Sequence, residues 1–203
     1  PTQNIQYYGG IELRPKGSLA YDFNGITHFH LEGKGRCKES YYRSTFNLEE
    51  EALKKELKRI ISSGYTNLGY TTARDKMYGD IDNYNGRVTC VYTGRSAEFS
   101  TRAGANSNSF NTEHTWPQSL FNKSESERAD IHHLFPTDVN ANSRRGNYAF
   151  GSVSSPSWSE GGSKQGSNLF EPRDHHKGDV ARAMFYFVLR YQDYSNFLDN
   201  QES

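Results

Sequence analysis

The chain has 203 residues, with 24 basic and 24 acidic side chains, so the strongly basic footprint of many nucleic-acid binders is absent, although charge can still be sorted onto one face. A mean hydropathy of −0.90, with no run near the ~18 apolar residues of a spanning helix, excludes an α-helical membrane protein, while 14 Tyr, 12 Phe and 2 Trp supply core anchors that disordered chains lack. Two cysteines, Cys37 and Cys90, are too few for a disulfide scaffold or a four-thiolate zinc site and leave open one bridge or two free thiols.

The chain begins at Pro1 without a charged-then-apolar leader, as expected of a processed product whose export signal has been removed. Residues 1–40 are punctuated by glycines between short alternating runs at 19–23 and 27–31, a pattern that predicts a β-rich N-terminal arm preceding a domain over 41–203. Residues 47–63 predict an amphipathic helix. Asn47 and Glu50 match a capping box, and Leu53, Leu57, Ile60 and Ile61 share one face. Glu50–Lys54 and Glu51–Lys55 are spaced for i,i+4 pairs, and Gly64 supplies the stop.

A weaker helix is expected over 71–78, and a strand over 87–92 with Val88, Cys90 and Tyr92 on one side. Residues 96–109 and 151–168 are rich in Ser, Gly and Asn and read as loops. Residues 178–191 predict a helix apolar nearly all round, and therefore buried. The alternation of short strands with helices makes the fold class α+β, a mixed α/β single domain.

Candidate chemistry lies between the two loops. Glu113-His114 pairs a carboxylate with an imidazole, and Trp116-Pro117 marks a strand end. Asp130 to Pro136 holds His132 and His133, and Asn140, Asn142, Arg144, Arg145 and Asn147 follow. A neutral imidazole can take a proton from water at neutral pH. A carboxylate with an amide oxygen makes a hard-oxygen site for Mg²⁺, Mn²⁺ or Ca²⁺, and arginines fork onto phosphate oxygens. Together these groups suit phosphodiester hydrolysis. HExxH is absent, and no cysteine spacing suits zinc. Adjacent strand residues point to opposite faces, so Glu113 and His114 cannot both line one face of a regular strand.

Three blocks carry a resemblance: FNTEHTWPQS at 110–119, DIHHLFPTDVNANSRRGNYAFG at 130–151 and GSNLFEPRDHHKGDVARAMFY at 166–186, with weaker agreement over 41–61 and 93–96. The chain resembles the endonuclease I family of bacterial secreted and periplasmic nucleases, which use a ββα-metal (His-Me finger) active site. The resemblance spans residues 41–191, and the first 40 residues match nothing in it.

By this resemblance His114 is the general base, and Glu113 and Asn142 hold one divalent metal, most simply Mg²⁺. Asn142 is chosen over Asn140 because the family spaces this Asn three before an Arg and five before a second Asn, here Arg145 and Asn147. Arg145 ranks first as phosphate contact, ahead of Arg144 and Arg128. His132, His133, Trp116, Asn147 and Glu171 are supporting candidates. His132 and His133 are read as strand neighbours, one packed inward and one bordering the site, and Glu171 as a residue that orients a neighbour or serves the turn before Pro172. The stretch between His114 and His132 is short and lacks a long basic insertion.

The implied activity is largely sequence-nonspecific cleavage of DNA, and of RNA, to 5′-phosphate and 3′-hydroxyl ends. A monomer that is secreted or periplasmic, with nucleic acid as partner and no membrane partner, completes the expectation. The rival reading is a non-catalytic extracellular binding domain whose Tyr-rich, Gly-rich N-terminal arm and neutral charge serve glycans or a protein.

Overall fold

The structure, a computed structural model, describes residues 41–191 together with the backbone of Tyr7–Tyr8 and Ile11–Glu12. The expected strands at 19–23 and 27–31, and Cys37, lie outside the described residues. The chain divides into two compact units, Pro1–Tyr65 and Thr66–Ser203.

In the first unit, β1 (Tyr7–Tyr8) pairs antiparallel with β2 (Ile11–Glu12). Its helix, α1 (Glu50–Ser62), begins three residues later than the expected span because Asn47 has φ 65°, whereas an N-cap needs extended backbone. Glu49 takes the cap position with no side-chain bond, so the capping box does not form. The apolar face is as expected, with Ile60 and Ile61 buried and Gly64 left-handed at φ 74° beyond the end. The charged face pairs at i,i+3, Glu51 with Lys54 and Glu56 with Arg59, each at 2.6 Å.

The second unit opens with α2 (Tyr70–Lys76), which runs into a π-turn at Met77–Ile81. Then β3 (Asn83–Tyr84), β4 (Arg87–Thr89) and β5 (Ser96–Glu98) form an antiparallel sheet. The expected strand over 87–92 is cut at Thr89, where the chain turns and Gly94 N–H donates to Cys90 O. Val91 N–H instead reaches Pro136 O, and Val88, Cys90 and Tyr92 are still all buried. The stretch expected as a loop over 96–109 holds β5 and α3 (Arg102–Ser107), because Thr101 caps the helix by accepting from Gly104 N–H.

Next come β6 (Phe110–His114), α4 (Glu125–Arg128), β7 (Leu134–Asp138) and α5 (Val139–Arg145). β6 and β7 are antiparallel, from Phe110 opposite Asp138 to His114 opposite Leu134. α5 leaves β7 without a linker, because the Asp138 carboxylate accepts from Asn140 and Ala141 N–H at 2.8 and 3.3 Å. Two paired strands and the helix that follows make a ββα unit.

Then β8 (Ala149–Phe150), β9 (Trp158–Glu160), β10 (Ser163–Gly166) and β11 (Leu169–Glu171) form a sheet in the order β8-β11-β10-β9. The second expected loop, 151–168, thus contains a hairpin. At its tip Gly161 has φ 58°, and a Cβ there would lie 1.9 Å from Thr93 O, so only glycine lets the two backbones meet.

The last helix, α6 (Asp174–Tyr191), starts four residues before the expected span and takes in His175 and His176. His176 is therefore buried, packed on the Phe135 ring at 4.7 Å, rather than a solvated residue ahead of the helix. Nor is the helix apolar all round in effect, since Phe185 is 66% exposed. Its inner face packs Val180, Met184 and Phe187 with Trp116 and Phe121. Phe187 stacks on Trp116 with ring centroids 5.1 Å apart and an interplanar angle of 11°.

Phe187→Ala should therefore cost about 3–5 kcal/mol, the usual loss for a buried aromatic, read as a lowered urea midpoint at pH 7.

Candidate functional site

Alternation along β6 decides which side chains meet. Asn111 and Glu113 share one face, Thr112 and His114 the other. On the first face Glu113 is 2% exposed. Its Oε1 accepts from Tyr92 O–H at 2.8 Å and lies 3.3 Å from Arg145 Nε, and neither contact uses Oε2. Burial, only partly offset by Arg145 and Tyr92, pushes the Glu113 carboxyl up to about 7. Asn142 reaches the same side from α5, its amide nitrogen donating to Asn111 Oδ1 at 2.9 Å and to Thr112 O at 3.2 Å. Those bonds leave the Asn142 carbonyl oxygen as a free donor atom to a cation. Asn140, by contrast, is exposed in the first turn of α5.

On the second face His114 is 7% exposed, its ring 5.4 Å from Tyr70 and 5.6 Å from His133. The Arg128 backbone acts on the ring in favour of its protonated form, and Nε2 is buried with no bond among the described residues. Burial first, then the charges of His133 and Arg128, hold the imidazole well below its ordinary pKa, so it is neutral at pH 7. The regular strand does send Glu113 and His114 to opposite faces.

The three arginines separate sharply. Arg145, expected to touch phosphate, is fully buried. Its guanidinium donates to Thr115 O at 3.0 Å and Tyr148 O at 2.5 Å and lies 4.1 Å over the Phe150 ring, so it has no surface to offer a substrate. Arg144 is exposed on α5. Arg128 is the one beside His114, with Nε on Gln118 Oε1 at 3.1 Å and its guanidinium 3.9 Å over the Tyr70 ring.

The supporting candidates are mostly structural. His132 and His133 lie on a 3-10 turn, Ile131–His133, not on a strand. His132 stacks on Tyr186 at 4.3 Å and bonds Asp130 Oδ1 at 2.8 Å. His133 is fully buried, Nε2 bonding Glu127 O at 2.8 Å, its ring 4.7 Å from Phe187. Trp116 belongs to the core under α6. Asn147 donates to Ser119 Oγ at 2.9 Å. Glu171 is drawn into ion pairs with Lys164 and Lys177, at 3.2 and 2.8 Å, and accepts from Val153 N–H. These contacts make it a strut between β10, α6 and the chain at Val153.

Residues that sequence reasoning missed are Tyr70, Arg74 and Tyr92. Tyr70 packs on His114, and Arg74 lies 4.2 Å over the Tyr70 ring. Both sit on a helix too short for a strong periodic signal. Tyr92 was visible as a buried position but not as the donor to Glu113.

The fold and the site together define a mixed α+β protein built on a ββα unit, with a neutral imidazole at the end of its first strand and an asparagine from its helix. The chain belongs to the endonuclease I family, a family of nucleases, whose model matches residues 49–200. It is 37% identical over 166 residues to an extracellular ribonuclease of Bacillus amyloliquefaciens, covering 79% of this chain and 56% of that protein. An extracellular ribonuclease of Bacillus subtilis (strain 168) is 36% identical over 166 residues, covering 79% of this chain and 57% of the relative. The chain thus spans little more than half the length of these relatives.

Two outcomes follow from the buried charges. Arg145→Gln takes the buried cation from Glu113, Thr115 O and Tyr148 O and should cost about 3–5 kcal/mol of unfolding free energy, whereas Arg144→Gln should change it by less than about 0.5 kcal/mol; a stable, folded Arg145→Gln would contradict the buried assignment.

Burial also pushes the His133 imidazole down to about 4. Its folded pKa is depressed, so the unfolded chain binds a proton near 6.5 that the folded chain refuses, and stability is full above pH 6.5 and falls as pH drops toward 4. His114 acts in the same direction and Glu113, held protonated in the fold, acts against it. With two imidazoles against one carboxyl, net stability should decrease between pH 6.5 and 4.5, and ring resonances of His133 should stay neutral at pH 5 by NMR.

Proposed function

We propose that this chain is a metal-dependent, largely sequence-nonspecific endonuclease that hydrolyses phosphodiester bonds to 5′-phosphate and 3′-hydroxyl ends. The observation that carries the reading is His114: a buried imidazole at the end of β6, neutral at pH 7 and set between the Tyr70 and His133 rings. A base for deprotonating water needs a lone pair at a fixed position and a ring that is uncharged at working pH, and His114 has both. Tyr70 and His133 pack against the ring and limit its rotation. Arg128 lies next to the base with no carboxylate paired to it among the described ion pairs, which suits it to a nonbridging phosphate oxygen.

The donor set fits a hard cation. Glu113 has a carboxylate oxygen outside its two hydrogen-bonding contacts, and Asn142 has a carbonyl oxygen left by the bonds of its nitrogen. Among the described residues no cluster of three His, Cys, Asp or Glu could hold a metal, so the fit is to an ion that keeps much of its water and leans on substrate phosphate, as Mg²⁺ does. When bound, such an ion supplies Lewis-acid stabilisation of charge on the phosphate and the departing oxygen. Arg145 holds Glu113 in place through Oε1, and Asn111 does the same for Asn142.

Because the base acts on water and not on a sugar hydroxyl, the same machinery serves DNA and RNA, and the names of the Bacillus relatives favour RNA among the substrates and secretion as the location. His114→Ala should lower the rate by about 10²–10⁴, measured at a temperature where circular dichroism shows the variant folded, and EDTA should abolish cleavage of both plasmid DNA and single-stranded RNA on gels. Full cleavage by His114→Ala would remove the base assigned here, and a folded wild-type chain inert on both polymers would favour the binding-domain reading.

A further inference from the structure

A cavity of about 300 Å³ opens beside the site, bounded by α2, α3, β6 and α5. Its walls include Arg74, Arg102, Asn106, Asn111, Gln118 and Asn142, and no Asp, Glu or His side chain lines it. A concavity with cationic and amide groups and no carboxylate takes an anion rather than a metal. Asn142 belongs to this wall and is also the proposed cation ligand, so the cavity starts where the cleavage site ends.

Arg74 is the telling residue. Arg102 has its charge balanced by Asp75 at 2.6 Å, but no ion pair engages Arg74 among the described residues, and its Nε is buried without a hydrogen bond. A plain structural role would be to cover the Tyr70 ring, 4.2 Å away. That ring already carries Arg128 at 3.9 Å, and burying the Arg74 Nε without an acceptor brings a cost that a second packed guanidinium does not offset. We infer that Arg74 and the amide-lined cavity beside it form a subsite for the phosphodiester next to the one being cleaved, with Asn106 and Gln118 placed to bond the sugar or base edge of that nucleotide. The inference rests on the nuclease reading and extends it from the scissile phosphate to the strand.

The test measures binding of a single-stranded oligonucleotide to His114→Ala protein in EDTA, so that the strand stays intact, from low to high salt. Each phosphate contact on a single strand contributes about 0.7 to the slope of log affinity against log salt. Arg74→Gln should lower the slope by about that amount, Arg74→Lys should keep it, and Arg87→Gln, at the β4–β5 pair, should leave it unchanged. Asn106→Glu sets a carboxylate on the exposed side of the same cavity and should lower the slope at least as much as Arg74→Gln, which keeps the question answerable if Arg74→Gln does not fold. An unchanged slope in Arg74→Gln and Asn106→Glu, or an equal fall in Arg87→Gln, overturns the subsite while leaving the nuclease standing. Failure of the His114→Ala parent to bind any strand overturns the nuclease reading as well.

Discussion

One guanidinium buried without solvent constrains the rest of the second unit. Arg145 ends α5 and cannot shed its charge, so the protein must surround it with acceptors: Glu113 on β6, Thr115 O just beyond that strand, and Tyr148 O on the way to β8. Those partners come from three successive parts of the ββα unit and the sheet behind it. Satisfying one charge therefore fixes the strand end that carries His114, the helix that carries Asn142 and the start of the following sheet. Buried ion pairs of this kind are weak evidence of net stability; their use here is geometric, since this one ties α5 to the end of β6.

The two faces of β6 consequently divide the work. The Glu113 face carries a buried carboxyl closed in by Tyr92 and Arg145. The His114 face is aromatic and cationic, with Tyr70, Arg74 and Arg128, and among the described residues no carboxylate is hydrogen-bonded to the imidazole. An imidazole flanked by guanidinium groups stays uncharged. The chain as a whole is neutral, so this local sorting, not the bulk charge, is what a polyanion would meet.

The sequence made some of this legible and hid the rest for identifiable reasons. Long-period signals carried through: the apolar faces of α1 and α6 and the inward side of Val88, Cys90 and Tyr92. Short elements did not. α3 consists of Arg, Ala, Gly, Asn and Ser, a loop composition, and exists because Thr101 caps it and Ala105 packs. Local cap rules failed at Asn47, whose left-handed backbone no spacing rule reports. Motif blocks pointed to Glu113, His114 and Asn142 but could not tell a buried arginine from an exposed one. Arg144 and Arg145 are neighbours in sequence, and only the phase of α5 decides which of them turns inward. Arg128 and Arg74 escaped emphasis because what sets them apart, the lack of an ion-pair partner among the described residues, is a property of three dimensions.

The Asp130 carboxylate has a wider consequence. Although burial acts to raise its pKa, the hydrogen bond and charge of His132 hold it below the ordinary value. Tyr186 and Tyr191 each donate a phenolic O–H to its Oδ2 at 2.8 Å. The buried anion therefore reads the far end of α6 and ties it to the 3-10 turn that carries His133 against His114. Chain trimming from the C-terminal side meets a sharp limit at this point: a cut before Tyr191 would remove one of the two phenolic donors to a buried carboxylate, and the disturbance would reach the histidine pair through a single turn of backbone.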